Sequence, residues 1–267
     1  MSDFSSKIKL FFFSCVSTLL FSCGLSGQSD NVFEKHEFYF NSGDTLFYRM
    51  MKPKKNNPSK KYPLVLFLHG AGERGNDNNS QLANGVNNFA SSQIRETYPC
   101  YMIVPQCAKN YRWVEVPWNL SSHVQPEKPS VYLEQTIKLL DSLIKKLNID
   151  TNRIYITGLS MGGFGTWDAI CRYPWKFAAA VPICGGGDTA KAASIKNIPI
   201  WAFHGGKDKV VMVSRSRDMI AAIKKAGGNP IYTEYPETGH DAYTKTYKSI
   251  DLYKWLFSQT KSKQGKR

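Results

Sequence analysis

The chain has 267 residues, 42% hydrophobic and 13% aromatic, with a formal net charge of +14. That length and apolar content suit one large α/β domain with a sizeable core and exclude a disordered or fibrous chain. The excess lysine gathers in Lys52–Lys61 and in the tail Lys261–Arg267 without the interleaved aromatics of a nucleic-acid-binding face, so no nucleic-acid partner is expected. An anionic surface, such as lipid headgroups or acidic polysaccharide, is the remaining electrostatic option.

Residues 1–22 read as a signal peptide. Lys7 and Lys9 form a short basic region, and Leu10–Phe21 is an apolar run too short to span a bilayer comfortably. Leu20-Phe21-Ser22-Cys23 resembles a bacterial lipobox. That resemblance implies Cys23 as the lipidated first residue of an exported, membrane-anchored lipoprotein. The alternative is ordinary cleavage near Ser26-Gly27, which would release a soluble protein. Residues 23–34 then form a tether, residues 35–260 the folded domain and residues 261–267 a basic tail. Four later cysteines remain, at 100, 107, 171 and 184. Cys100 and Cys107 flank an extended run that holds them too far apart to bridge, so buried free thiols are expected. None has metal-binding spacing, and no metal is expected.

Glu37–Phe40 and Thr45–Met50 flank a Gly-containing turn and predict a hairpin. Tyr62–Leu68 is a continuous apolar run, the pattern of a strand buried on both faces. It ends in His69-Gly70-Ala71-Gly72-Glu73-Arg74-Gly75. A Gly-rich turn directly after a central strand can aim backbone N–H groups into a site, and Ala71, ahead of Gly72, is the candidate donor to an oxyanion. His69 is expected to brace this turn rather than act as a base. Glu73 and Arg74 either pair locally or line a pocket mouth.

Asn76–Ser92 is a polar loop expected to lead into a short helix at Gln81–Ala90, followed by a strand at Cys100–Val104. Residues 107–129 show no period but hold Tyr111, Trp113, Trp118 and His123. A long irregular insert rich in aromatics is expected to wall the substrate cleft, with Trp113 and Trp118 offering stacking surfaces. A packed surface flap is the alternative. Val131–Leu147 places its apolar residues at spacings of three and four, one face of a helix.

Arg153–Thr157 is of strand type and runs into Gly158-Leu159-Ser160-Met161-Gly162-Gly163, with helix-compatible residues to Arg172. Strand, Gly-x-Ser-x-Gly, helix is the layout of a nucleophile elbow. Glycines let strand and helix approach closely around the serine. The Met161 N–H, at a helix start, then favours a developing negative charge. Further strands are expected at Phe177–Cys184, Ile198–Phe203 and Ile231–Tyr235, and helices at Val213–Ala226 and Ser249–Ser258. Strands alternating with helices predict a mostly parallel sheet covered on both faces.

A serine nucleophile needs a base, and the base an orienting acid. After Ser160 the histidines are His204 and His240. His240, in a loop after the last strand, can reach back over Ser160. His204 closes a strand and is expected to shape the turn presenting Asp208. Asp208 gives the chain order Ser, Asp, His. Asp188, Glu237 and Asp241 are rivals placed one strand early or too near His240 in sequence.

With those residues in view, residues 60–257 resemble the α/β-hydrolase superfamily. The motifs His69–Gly75, Pro105-Gln106-Cys107 with Trp113, Gly158–Gly162, His204–Asp208 and Gly239-His240 resemble a bacterial group of secreted esterases. That group is related to polyhydroxybutyrate depolymerases, feruloyl and acetyl xylan esterases and predicted peptidases. The resemblance implies Ser160, Asp208 and His240 as a triad, with Ala71 and Met161 as oxyanion donors. It implies no cofactor, and as substrate a small ester or an esterified plant cell-wall polysaccharide. A serine peptidase of prolyl-oligopeptidase type and a non-catalytic binding module are the competing expectations. Oligomeric state is not legible.

Overall fold

A computed structural model describes residues 32–261. The signal peptide, Cys23, most of the tether and all of the basic tail beyond Lys261 lie outside the described residues. The strands are β1 (Glu34–Tyr39), β2 (Thr45–Met51), β3 (Tyr62–Leu68), β4 (Tyr101–Pro105), β5 (Ile149–Leu159), β6 (Ala179–Ile183), β7 (Trp201–Gly205) and β8 (Ile231–Tyr235). They form one eight-stranded sheet in the order β1-β2-β4-β3-β5-β6-β7-β8. The β1–β2 and β2–β4 pairs are antiparallel; every other pair is parallel. The helices are α1 (Val86–Phe89), α2 (Ser92–Thr97), α3 (Val131–Lys146), α4 (Met161–Arg172), α5 (Ala192–Ile195), α6 (Ser214–Lys225), α7 (Ala242–Lys248) and α8 (Ile250–Ser258). This is the α/β-hydrolase fold expected from the sequence.

Local chemistry explains the elements. Every residue of β3 is buried, as its unbroken apolar run requires of a strand covered on both faces. Two apolar clusters sandwich the sheet. One includes Leu66, Leu140, Phe164 and Met219; the other includes Phe67, Phe89, Tyr247 and Leu256. α3 starts where Ser130 Oγ accepts the Leu133 N–H at 3.2 Å, and Lys145 and Lys146 sit in its last turn, at the negative end of its dipole.

The structure departs from expectation in several places: α2 and α5 are added, β5 starts at Ile149 rather than Arg153, and three further differences have clear causes. Gln81–Ala90 is not one helix but a 3-10 turn at Ser80–Leu82 followed by α1. Gly85, at φ +78°, breaks the run, and a Cβ there would meet the Tyr247 ring at 2.3 Å. β7 starts at Trp201 rather than Ile198, because Pro199 has no N–H to give the ladder. α7 is an added helix without apolar periodicity. It is held by the wholly buried Tyr247 and by Thr246 Oγ1 bonding to the Ala242 carbonyl at 2.9 Å.

Candidate active site

The parallel strands bring their C-terminal ends to one edge of the sheet. There β3 delivers the His69–Glu73 turn, β5 Ser160, β7 Asp208 and β8 the loop with His240. Ser160 sits at φ +54°, ψ −119°, a region that costs a non-glycine residue of order 1–3 kcal/mol. Its neighbours hold it there. The Ser160 N–H donates to the Ile183 carbonyl at 2.9 Å. A Cβ at residue 162 would lie 1.9 Å from the Leu68 carbonyl oxygen, and one at 158 would lie 2.4 Å from the Gly162 carbonyl oxygen. Only glycine lets β3, β5 and α4 meet this closely.

His240 Nε2 lies 2.8 Å from Ser160 Oγ, and His240 Nδ1 lies 2.8 Å from Asp208 Oδ2. An ionised carboxylate only accepts, so the ring proton is on Nδ1. Nε2 is then free to take the hydroxyl proton of Ser160. The Asp208 side chain is fully enclosed, whereas that of His240 is 22% exposed. Asp208 Oδ1 accepts from the N–H groups of Val210 at 2.8 Å and Val211 at 2.9 Å. Burial alone would raise its pKa. The hydrogen bonds from His204, His240 and the two backbone N–H groups outweigh burial and hold the carboxyl well below the usual carboxylate range.

His204 is a supporting residue whose full role the sequence did not disclose. It is wholly buried, and its Nε2 lies 3.1 Å from Asp208 Oδ2 and 3.0 Å from the Val211 carbonyl. Both are acceptors, so Nε2 carries a proton; Nδ1 faces Ser216 Oγ at 2.8 Å. Asp208 Oδ2 therefore receives two imidazole N–H groups. The Cys184 thiol shares this neighbourhood: its ligand atom, those of His204 and those of Asp208 lie within 4.8 Å of one another. Cysteine spacing along the sequence gave no sign of that cluster. Burial, with the Asp208 charge beside it, pushes the thiol well up, so it stays protonated next to an already bonded carboxylate. All four later cysteines are free.

The oxyanion candidates both stand at helix starts. Met161 opens α4, and Ala71 opens a one-turn 3-10 helix. The turn before Ala71 packs onto the elbow: a Cβ at Gly162 would also lie 2.8 Å from the His69 carbonyl oxygen. His69 braces the turn as expected. Nδ1 donates to the Gly70 carbonyl at 2.6 Å, and Nε2 accepts the Cys107 N–H at 3.0 Å. Burial lowers its pKa to about 4, so it is neutral. Glu73 and Arg74 do not pair. Glu73 is buried and accepts from Asn84 Nδ2 at 2.6 Å, while its Oε2 has no hydrogen-bond donor among the described residues. That oxygen points at Gly70, 2.8 Å from where a Cβ would stand. Glu73 also lines a pocket of about 590 Å³ with Gly72, Asn79, Ser80 and Asn87.

The two tryptophans are placed differently from each other. Trp113 is fully buried, so it offers no stacking face to a substrate; the expectation is corrected. Its Nε1–H donates to the His69 carbonyl at 2.9 Å, which makes it a brace under the oxyanion turn. Trp118 is half-buried, with the Arg112 guanidinium 4.5 Å and that of Arg74 5.8 Å from its ring centroid. Arg74 Nε also donates to the Ala71 carbonyl at 2.9 Å, which ties Trp118 to the oxyanion turn.

Residues 54–254 match the family model described as phospholipase/carboxylesterase. The chain belongs to that family. Among solved structures, a thermostable esterase superimposes with a TM-score of 0.79 at 42% identity, over 86% of this chain and 64% of that one. A bifunctional acetylxylan esterase/xylanase of Neocallimastix patriciarum is 33% identical over 33% of this chain and 13% of its own length. A poly(3-hydroxyalkanoate) depolymerase C of Paucimonas lemoignei is 32% identical over 46% of this chain and 28% of its own. The match thus spans a minor part of both curated relatives. Within the family, the matched segment holds Ser160, Asp208 and His240 together.

Proposed function

We propose that this family member is a serine carboxylic-ester hydrolase. The observation that carries the reading is the continuous hydrogen-bonded series from Ser160 Oγ through the His240 ring to Asp208. Ser160 Oγ attacks the ester carbonyl carbon as its proton passes to His240 Nε2, and Asp208 stabilises the imidazolium. The N–H groups of Ala71 and Met161 receive the oxyanion. His240 returns the proton to the leaving alkoxide as the ester C–O bond breaks, which leaves an acyl-Ser160. Water, deprotonated by His240, attacks that acyl group, releases the acid and restores the serine. No cofactor enters any step.

For substrate, we propose acetyl or feruloyl esters of plant cell-wall polysaccharide. Support comes from the acetylxylan esterase relative and from the Glu73 pocket beside the oxyanion turn. We propose further that the enzyme is exported and lipid-anchored through Cys23. The test is product release from acetylated xylan and methyl ferulate, identified by mass. Wild type should release acid and Ser160→Ala should not, a loss of roughly 10⁶-fold in kcat. Full activity in Ser160→Ala would remove the mechanism. Metabolic labelling with a fatty acid that disappears in Cys23→Ser would support the anchor; a signal peptide cut elsewhere would remove it.

A further inference from the structure

The opposite edge of the sheet, where β3, β4 and β5 begin, carries a second concavity. It is a pocket of about 600 Å³ lined by Lys54, Lys55, Lys60, Lys61, Arg95 and Arg153, with Tyr62, Tyr98 and Phe257 supplying apolar wall. Lys54 pairs with Glu96, and Arg153 with Asp150 at 2.7 Å. Among the described residues, Lys55, Lys60, Lys61 and Arg95 form no ion pair. Arg95 is the telling one. Its Nη2 reaches only the Lys52 carbonyl, at 3.4 Å, and its Nε–H is buried with no acceptor among the described residues. The guanidinium on the pocket wall thus has no carboxylate partner among the described residues, and an anionic oxygen entering the pocket would take that role.

We infer that this pocket is a docking site for the phosphodiester headgroup of an anionic phospholipid, and that it seats the back of the domain on a membrane. One observation favours a lipid surface over a soluble anion: the unpaired lysines lie together on one exposed loop, where several headgroups can act on them at once. Seated this way, the edge bearing Ser160 faces away from the bilayer. The inference stands without Cys23 and without the triad.

The experiment is vesicle flotation of the full chain, wild type against the triple variant Arg95→Gln, Lys60→Gln, Lys61→Gln. Vesicles are phosphatidylcholine alone or phosphatidylcholine with phosphatidylglycerol. Each charge removed near such a surface weakens partition about five-fold, so the phosphatidylglycerol-dependent gain should fall about a hundred-fold in the variant. Added salt should erase the gain in wild type. Hydrolysis of a soluble ester should stay unchanged. Lys55→Glu with Lys60→Glu, confined to the exposed loop, repeats the test if the triple variant unfolds. Equal partition onto both vesicle types, or a gain that both variants keep, overturns the inference. So does a pocket that inorganic phosphate stabilises against heat while phosphatidylglycerol vesicles have no effect, since the ligand is then a free anion.

Discussion

The nucleophile elbow and the insert at residues 107–129 lie on the same side of the molecule but are held by opposite means. Around Ser160 the contacts are backbone against backbone, and single added methyl groups at 158, 162 or 163 would collide with carbonyl oxygens. The insert has neither helix nor strand and is tied down by side chains reaching its backbone. Arg172 donates to the carbonyls of Pro126 and Glu127, and Arg215 to that of Leu120 at 3.2 Å. The Gln125 N–H donates to Asp188 Oδ2 at 2.9 Å, and Gln125 Nε2 to Asp168 Oδ1 at 2.7 Å. One region admits almost no substitution. The other, apart from the core residues Trp113, Val114 and Val116, is a set of separable ties, each replaceable at modest cost.

That contrast can be broken or sharpened by measurement. After the loss of Ser160 itself, the largest effect is expected from Asp208→Asn, which spares the elbow's packing but presents the wrong tautomer of His240: kcat should fall about 10⁴-fold with little change in Tm. A Tm collapse would mean the acid turn is part of the scaffold. Gly162→Ala should destabilise by more than about 4 kcal/mol, because the clash is with backbone and cannot relax. Denaturant unfolding reads this, and a mild loss would sink the claim of backbone closure. Acid titration separates the regions differently. His69 and His123 both have pKa values lowered to about 4, chiefly by burial. A depressed histidine takes its proton only when unfolded, so stability is full above about pH 6.5 and falls as pH drops toward 4. For the fully buried His69 the loss at pH 4 is about 3 kcal/mol, and His69→Phe should flatten that limb of a Tm-against-pH curve. Smallest is Gln125→Ala in the insert, at about 1 kcal/mol with kcat on p-nitrophenyl acetate unchanged. If it unfolds the domain, the insert is not the separable region described here.

The same contrast explains what could be read in advance. β3 and β8 were legible to the residue, and the order Ser160, Asp208, His240 was legible from loops following strands, because backbone packing leaves glycine and serine in fixed places. The insert was legible only as irregular. Its ties use long side chains, whose partners no local pattern specifies. Trp113 shows the limit: an aromatic in an irregular segment looks like a ligand surface, yet a carbonyl 44 positions earlier had already claimed its N–H. α7 escaped notice for a related reason, since a helix whose interior residue is a tyrosine bonded to Thr157 carries no apolar rhythm.

The shared oxygen Oδ2 of Asp208 has a kinetic consequence. In the proposed reaction the partly exposed imidazole of His240 tilts between the serine and the departing alcohol. Each tilt loosens its grip on the carboxylate. Because His204 and two amides stay in place, the anion never faces the protein interior bare, and the moving ring swings against a fixed counterpart.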